Sequence, residues 1–263
     1  MPFVITKAWR NYHGHEQTKE FLQESLNRLG LEQVDLVLIH WPGPAYDSQK
    51  KKKMIQNNNN KDNDATTSPI IAVQDGQEDI ASLRLETWRA LEDAYIQKKC
   101  RAIGVSNYSI THLQKLLNWS DIRIKPMVNQ VEMHPYYNQK ELRAFCSSHN
   151  ITLQAYSSLG GQDYSKKDYR NVLEQPPLLK NKVILDIANK RTKTASQILL
   201  RWAYQHNVVV IPKSEDDKHI VDNINIFGFT LSKKDMDALD SLDCGTKGRL
   251  AWRYDPLRHL DFD

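Results

Sequence analysis

The sequence predicts an α/β chain of the TIM (β/α)8-type barrel class, and three observations predict it. Short β-branched runs alternate with longer segments of helical period, which leaves either a doubly wound open sheet or a barrel. No G-x-G-x-x-G occurs in the chain, whereas an open dinucleotide-binding sheet carries that motif in its first strand-to-helix turn. Every strand instead ends in polar, chemically capable residues, which is how a barrel builds its active face from the carboxyl ends of many strands.

Six strands are expected, at Phe3–Thr6, Val34–Ile39, Ala102–Val105, Met127–Val131, Ile151–Ala155 and Val208–Ile211. Their apolar, β-branched composition suits parallel strands buried on both faces. The polar ends are Lys7, His40, Ser106 with Asn107, Gln130 with Glu132, Tyr156 with Ser157, and Lys213 with Ser214. Between strands, Phe21, Leu22, Leu26 and Leu29 share one helical face, as do Leu113, Leu116 and Leu117, and Ile198, Leu199 and Trp202. Asn138 with Glu141 and Thr194 with Gln197 have capping-box spacing and predict helix starts. Lys213 and Ser214 are expected to open a helix running through Asp222 and Asn223.

The segment 44–82 breaks this rhythm with the run Lys50–Lys53, Asn57–Asn60 and the stretch KDNDATTSP. Its composition cannot bury enough apolar surface to offset the entropy of ordering, so it reads as a low-complexity, disordered surface insertion within a single domain spanning 1–263. The chain has 263 residues, 40% hydrophobic and 26% charged, which suits one sizeable core. Its net charge of +4, from 36 basic against 32 acidic residues, owes four positives to the lysine run. Outside that run the charge is balanced, and no basic stripe of the kind that binds nucleic acid is present. Cys100, Cys146 and Cys244 share no metal-ligand spacing. Neither a metal site nor a disulfide frame is expected, and a reducing, cytoplasmic compartment fits. No apolar run reaches the ~18 residues of a membrane span.

At the strand ends the residues become specific. ITKAW (Ile5–Trp9), VDLVLIHWPG (Val34–Gly43), AIGVSNYS (Ala102–Ser109), VNQVEMHPYY (Val128–Tyr137), LQAYSSLG (Leu153–Gly160), ASQILLRWAYQ (Ala195–Gln205) and VVVIPKS (Val208–Ser214) follow one another in order. This ordered set resembles the aldo-keto reductase family over nearly the whole chain. The resemblance implies a barrel enzyme that transfers hydride from NADPH to an aldehyde or ketone, giving an alcohol. Lys7 looks like the family lysine whose charge lowers the pKa of a catalytic tyrosine, and His40 like the histidine that orients the substrate carbonyl.

The same motifs imply cofactor contacts. Ser106, Asn107 and Gln130 match residues that hydrogen-bond the nicotinamide carboxamide, and Tyr156 matches the aromatic on which the ring stacks. Ser157 and Leu159 would line the pyrophosphate passage. Lys213 and Ser214 would meet the 2′-phosphate of NADP at a helix amino terminus, where free N–H groups and partial positive charge favour anions. His219 stands where the family usually carries an arginine against that phosphate, so NADH is admitted beside NADPH; Lys218 would partly compensate. Asn223 resembles the residue that contacts adenine. Trp9 and Trp41 match aromatics that wall the substrate pocket, and the tail from Gly248 falls where the family's substrate loop lies.

Two family motifs do not occur: the DTA-like one that carries a catalytic aspartate and the YGNE-like one that carries the catalytic tyrosine. The expectation is an amino-terminally incomplete form with about six of eight β/α units, its edge strands prone to self-association, whereas a full-length form would be monomeric. A nicotinamide-nucleotide-binding sensor or scaffold of impaired catalysis is the alternative reading.

Overall fold

The computed structural model describes residues 2–44, 77–161 and 175–250. These fall into two compact units, one up to Val128 and one from Asn129. In the first unit, strands β1 (Ile5–Ala8), β2 (Val34–Ile39) and β3 (Cys100–Ser106) lie side by side in that order, all parallel. Helices α1 (His15–Leu29), α2 (Gln77–Ile96) and α3 (Ile110–Leu117) follow the strands. The second unit carries β4 (Val128–Glu132), β5 (Thr152–Tyr156) and β6 (Val209–Val210) in that order, with β5 and β6 parallel. Its helices are α4 (Lys140–Ser148), α5 (Lys182–Arg191), α6 (Ala195–Gln205), α7 (Asp217–Ile224) and α8 (Lys233–Asp240).

The six expected strands all form, with shifted ends. β1 starts at Ile5 because its register is set by β2, with Lys7 opposite Leu38, and Phe3 is left 65% exposed. Lys7 therefore sits within the strand rather than after it. β2 is the interior strand of its unit, and Val37, Leu38 and Ile39 are fully buried. β3 runs from Cys100, and Gly104 at its centre has no room for a side chain. A Cβ there would stand 2.5 Å from the Val128 carbonyl and 2.8 Å from Leu38.

The expected face of α1 buries Phe21, Leu22 and Leu26 but leaves Leu29 exposed. The helix ends there on Gly30 in the left-handed conformation (φ 64°), so Leu29 lies beyond the packed turns, and Thr18 fills the face instead. In α2, Trp88 and Leu91 are wholly buried. Buried Glu92 accepts hydrogen bonds from the backbone N–H groups of Arg123 (2.7 Å) and Ile124 (2.8 Å) and from Arg123 Nε (3.0 Å). This ties the loop before β4 to the helix. Residues 45–76 of the expected insertion lie outside the described residues, and α2 already begins at Gln77, ahead of the insertion's expected end at 82. The run from Ile80 to Trp88 is rich in good helix formers, which favours extending the helix backward. Leu113 and Leu116 of α3 are buried, with Leu117 only partly so.

In the second unit, Thr194 and Gln197 form the expected capping box at the start of α6, whose Ile198, Leu199 and Trp202 are fully buried. Asn138 does not cap α4: Gln139, at φ 54°, occupies the cap position, and Asn138 Oδ1 accepts from the Lys140 N–H at 3.0 Å. The Asn138 N–H is meanwhile held by Asp243 at 3.0 Å, which fixes the chain at Asn138 and puts the cap one residue downstream of the expected start. The helix after β6 starts at Asp217 rather than at Lys213, because Asp216 takes the cap. α6 fastens the far end of α7, since Gln197 Nε2 donates to the carbonyls of Asp222 (3.2 Å) and Asn225 (3.0 Å). Arg201 adds a bond to the Ile226 carbonyl at 3.0 Å.

Candidate active site

The first unit gathers Lys7, Trp9, His40, Trp41, Ser106 and Asn107 where its three parallel strands end. The His40 N–H donates to the Ala8 carbonyl at 3.0 Å, which fixes the end of β2 beside β1. Trp9 meets the imidazole edge-on, with centroids 4.6 Å apart at 77°, and the Trp41 ring lies nearly parallel to it at 6.5 Å and 15°. Trp41 is buried, whereas Trp9 is 40% exposed. Asn107 sits at φ 62°, in the left-handed region that asparagine tolerates better than most side chains. From there its Nδ2 donates to the His40 carbonyl at 2.9 Å and toward Ser106 Oγ at 3.3 Å. β3 is thereby tied to the residue after β2.

The electrostatics of this cluster are those of a partly desolvated cationic pocket. Burial lowers the pKa of Lys7 from its ordinary value. His40 is brought down to about 4 by burial first and then by the positive charges of Lys7 and Arg10. Its imidazole is therefore neutral at physiological pH, with a proton on one ring nitrogen to donate. Three further residues, not singled out from the sequence, support this pocket. Arg10 Nη2 donates to the Pro44 carbonyl at 2.7 Å, and Arg84 Nε donates to the Pro42 carbonyl, so both guanidiniums hold the loop that follows Trp41. His13, buried 3.3 Å from Thr87 Oγ1, is driven down to about 3 by burial, Arg84 and Arg10. Arg10 follows the strand-end motif closely enough to have been flagged, but Arg84 lies far away in sequence and carries no such signal.

In the second unit, Gln130 lies on β4 with its Nε2 donating to Gln154 Oε1 on β5, and both side chains are buried. β5 ends at Tyr156, which is half-buried, and Ser157 turns the chain at φ 52°. The Gly160 N–H closes that turn onto the Ser157 carbonyl at 2.7 Å and sets half-buried Leu159 in its loop. Pairing of β5 with β6 brings the Tyr156 end alongside the Ile211–Ser214 end, the Ile211 N–H reaching the Ala155 carbonyl at 3.4 Å. Lys213 is exposed and paired with Glu215, while Ser214 Oγ accepts from the Asp216 N–H at 3.1 Å. His219 is exposed on α7, and Asn223 is half-buried one turn further on.

A nicotinamide nucleotide can be tested against these side chains part by part. Within the first unit the Asn107 amide and the Ser106 hydroxyl are polar groups of the kind a carboxamide needs, and within the second the Gln130 amide is another and the half-buried Tyr156 ring offers an aromatic face. The 2′-phosphate fits less well, since Glu215 already engages the lysine expected to meet it and Asp216 already caps the helix. Among the described residues, no group of three or more His, Cys, Asp or Glu side chains could hold a metal ion, and no helix is long and apolar enough to cross a membrane.

The chain matches the aldo/keto reductase family over residues 2–243. It is 40% identical over 241 residues to the glyoxal reductase of Bacillus subtilis (strain 168), an alignment covering 92% of this chain and 68% of that protein. It is 34% identical over 250 residues to the NAD(P)H-dependent pentose reductase of Pyricularia oryzae, covering 93% of this chain and 73% of the relative. Among solved structures, MGS-M4, an aldo-keto reductase enzyme from a Medee basin deep-sea metagenome library, superposes with a TM-score of 0.69 at 34% identity, covering 94% of this chain and 72% of that one. A family match across nearly the whole sequence, relatives well above the threshold of chance likeness and a shared fold agree: the chain belongs to the aldo-keto reductase family, α/β proteins of the barrel class that act as oxidoreductases.

Proposed function

We propose that the chain reduces small aldehydes or ketones to alcohols with a nicotinamide nucleotide as hydride source. The observation that carries this reading is the His40 imidazole, in contact with the Trp9 and Trp41 rings and close enough to the Lys7 charge to have its pKa lowered by it. A neutral imidazole can donate its N–H to a substrate carbonyl oxygen without competing for the reaction's proton. The Lys7 ammonium, desolvated on its strand, favours the negative charge that grows on that oxygen as the carbon is reduced. Trp9 and Trp41 place aromatic surface beside the imidazole, and the Asn107 amide holds the His40 carbonyl. Bound reduced nicotinamide would supply the hydride, and the oxyanion it leaves on the substrate would take its proton from the Lys7 ammonium, whose pKa burial lowers. Ser106, Asn107 and Gln130 would hold its carboxamide, Tyr156 its ring face, Ser157 and Leu159 its pyrophosphate, and Lys213, Ser214, His219 and Asn223 its adenosine end. Free Cys100, Cys146 and Cys244 suit the cytoplasm, where thiols stay reduced.

The test is aldehyde-dependent loss of absorbance of NADH and NADPH, with glyoxal and a larger aromatic aldehyde as substrates. Turnover should fall by about 10²-fold or more in Lys7→Met and His40→Gln, the range expected on losing a polarising or proton-handling group. Failure of the unsubstituted chain to oxidise either nucleotide at millimolar aldehyde refutes the enzymatic reading. Nucleotide binding without turnover would instead support a nucleotide-binding sensor or scaffold.

A further inference from the structure

We infer that this chain's nucleotide site takes NADH in preference to NADPH, with Glu215 and Asp216 as the specificity-determining residues. The inference rests on the nicotinamide-dependent reading above. The place of the site comes from the motif that ends at Lys213 and Ser214, and what is new is the chemistry that surrounds those two residues here.

A 2′-phosphate brings close to two negative charges and accepts hydrogen bonds. It needs cations and backbone N–H groups that are open to it. Lys213 Nζ is paired with the Glu215 carboxylate, which that contact holds below its ordinary pKa and therefore ionised. At the start of α7 the Asp216 side chain accepts the His219 N–H at 2.8 Å, and that backbone bond is the main reason its own pKa is lowered. The helix end that would receive a phosphate is thus already supplied with an anion.

The neighbouring charges do not reverse this. Asp217 adds a third carboxylate in the first turn. Lys218 turns toward Asp222, at 3.2 Å, and the His219 ring lies 3.8 Å from Asp216. From Lys213 to Asn223 there are two lysines against Glu215, Asp216, Asp217 and Asp222, so two positives and four negatives leave a net charge of −2. A phosphate entering here faces like charge. A ribose diol does the opposite, because its hydroxyls donate to carboxylates, as acidic residues do for the 2′-hydroxyl of NAD on other dinucleotide folds.

Nucleotide binding is followed by tryptophan fluorescence and by calorimetry, without substrate, so the readout is independent of turnover. NADH should bind on the order of tenfold or more tighter than NADPH, the scale of an uncompensated like-charge contact. Adenosine 2′,5′-bisphosphate should likewise bind more weakly than adenosine 5′-monophosphate, and raising the salt should narrow both gaps. The double variant Glu215→Ala with Asp216→Ser, which keeps a capping side chain at position 216, should bring NADPH to or past parity. Glu215→Gln, at an exposed position that caps nothing, should move the ratio in the same direction by itself. Tighter binding of NADPH by the unsubstituted chain overturns the inference, as does a ratio unmoved in both variants. Absence of binding for either dinucleotide refutes the nicotinamide reading itself and the preference with it.

Discussion

Acid should unfold the first unit well before it protonates that unit's buried histidines. His13 and His112 are both buried, and each is held near 3. For His13 the causes are burial, Arg84 and Arg10, and for His112 they are burial, Arg84 and Lys115. The unfolded chain protonates both near the ordinary value of 6.5. Above that pH neither state carries the proton and neither histidine affects stability. As pH falls below it the unfolded state alone gains protons, and stability declines until the folded values near 3 are reached. The slope is about 1.4 kcal/mol per pH unit for each histidine, so at pH 5 the two together cost about 4 kcal/mol relative to pH 7.5. That is a large part of a typical domain stability of about 5–15 kcal/mol. His40 adds less, being half-exposed and screened by solvent. Urea unfolding followed by tryptophan fluorescence across this range measures the slope. His13→Gln and His112→Gln should each remove about one group's share, and Gln at 112 also preserves a capping box with Ser109. Curves that stay parallel to the unsubstituted protein would refute the reasoning.

Three other outcomes follow from the packing. Gly104→Ala should lower stability by about 1–3 kcal/mol, because the new methyl group meets a carbonyl and Leu38 at once, and a thermal melt would register it. Glu92→Ala strips the partner from two backbone N–H groups and from Arg123 Nε, leaving Arg123 its ion pair with Asp93, and should cost about 3–5 kcal/mol in chemical denaturation, as breaking a buried charge contact does. Asn107→Ala loses the bond to the His40 carbonyl and places a Cβ-bearing residue without a compensating amide at positive φ. It should weaken nucleotide binding measurably in a fluorescence titration and lower stability by about 1 kcal/mol.

The strands were legible because buried parallel strands write themselves as β-branched runs, and every expected one forms. Their ends were less so. Composition alone places Lys7 after β1, whereas pairing with β2 decides the register, and no local pattern encodes a partner as far along the chain as Leu38. Capping at Thr194 was readable since a hydroxyl and an amide three residues apart suffice. Asn138 offered the same spacing, but contact with Asp243 outweighed it. The cluster of Lys7, His40, Trp9 and Asn107 was foreseeable from strand ends, while Arg84 joins it only through folding of α2 against that edge. Glu215 and Asp216 were plainly visible as residues. Their meaning was not, because only the helix start shows which carboxylate caps it and which one turns to the lysine.

The grip of α6 on the trailing end of α7 bears on how this protein can change over time. Gln197 and Arg201 hold carbonyls from Asp222 to Ile226, whereas the residues that would meet the nucleotide's adenosine end lie mostly ahead of that clamp. Substitutions at exposed Glu215, Lys218 and His219, and at position 216 where a capping side chain is kept, therefore act on a lip whose foundation lies elsewhere. A lineage could exchange one redox currency for another through two or three codons there, without first finding mutations that restore the fold.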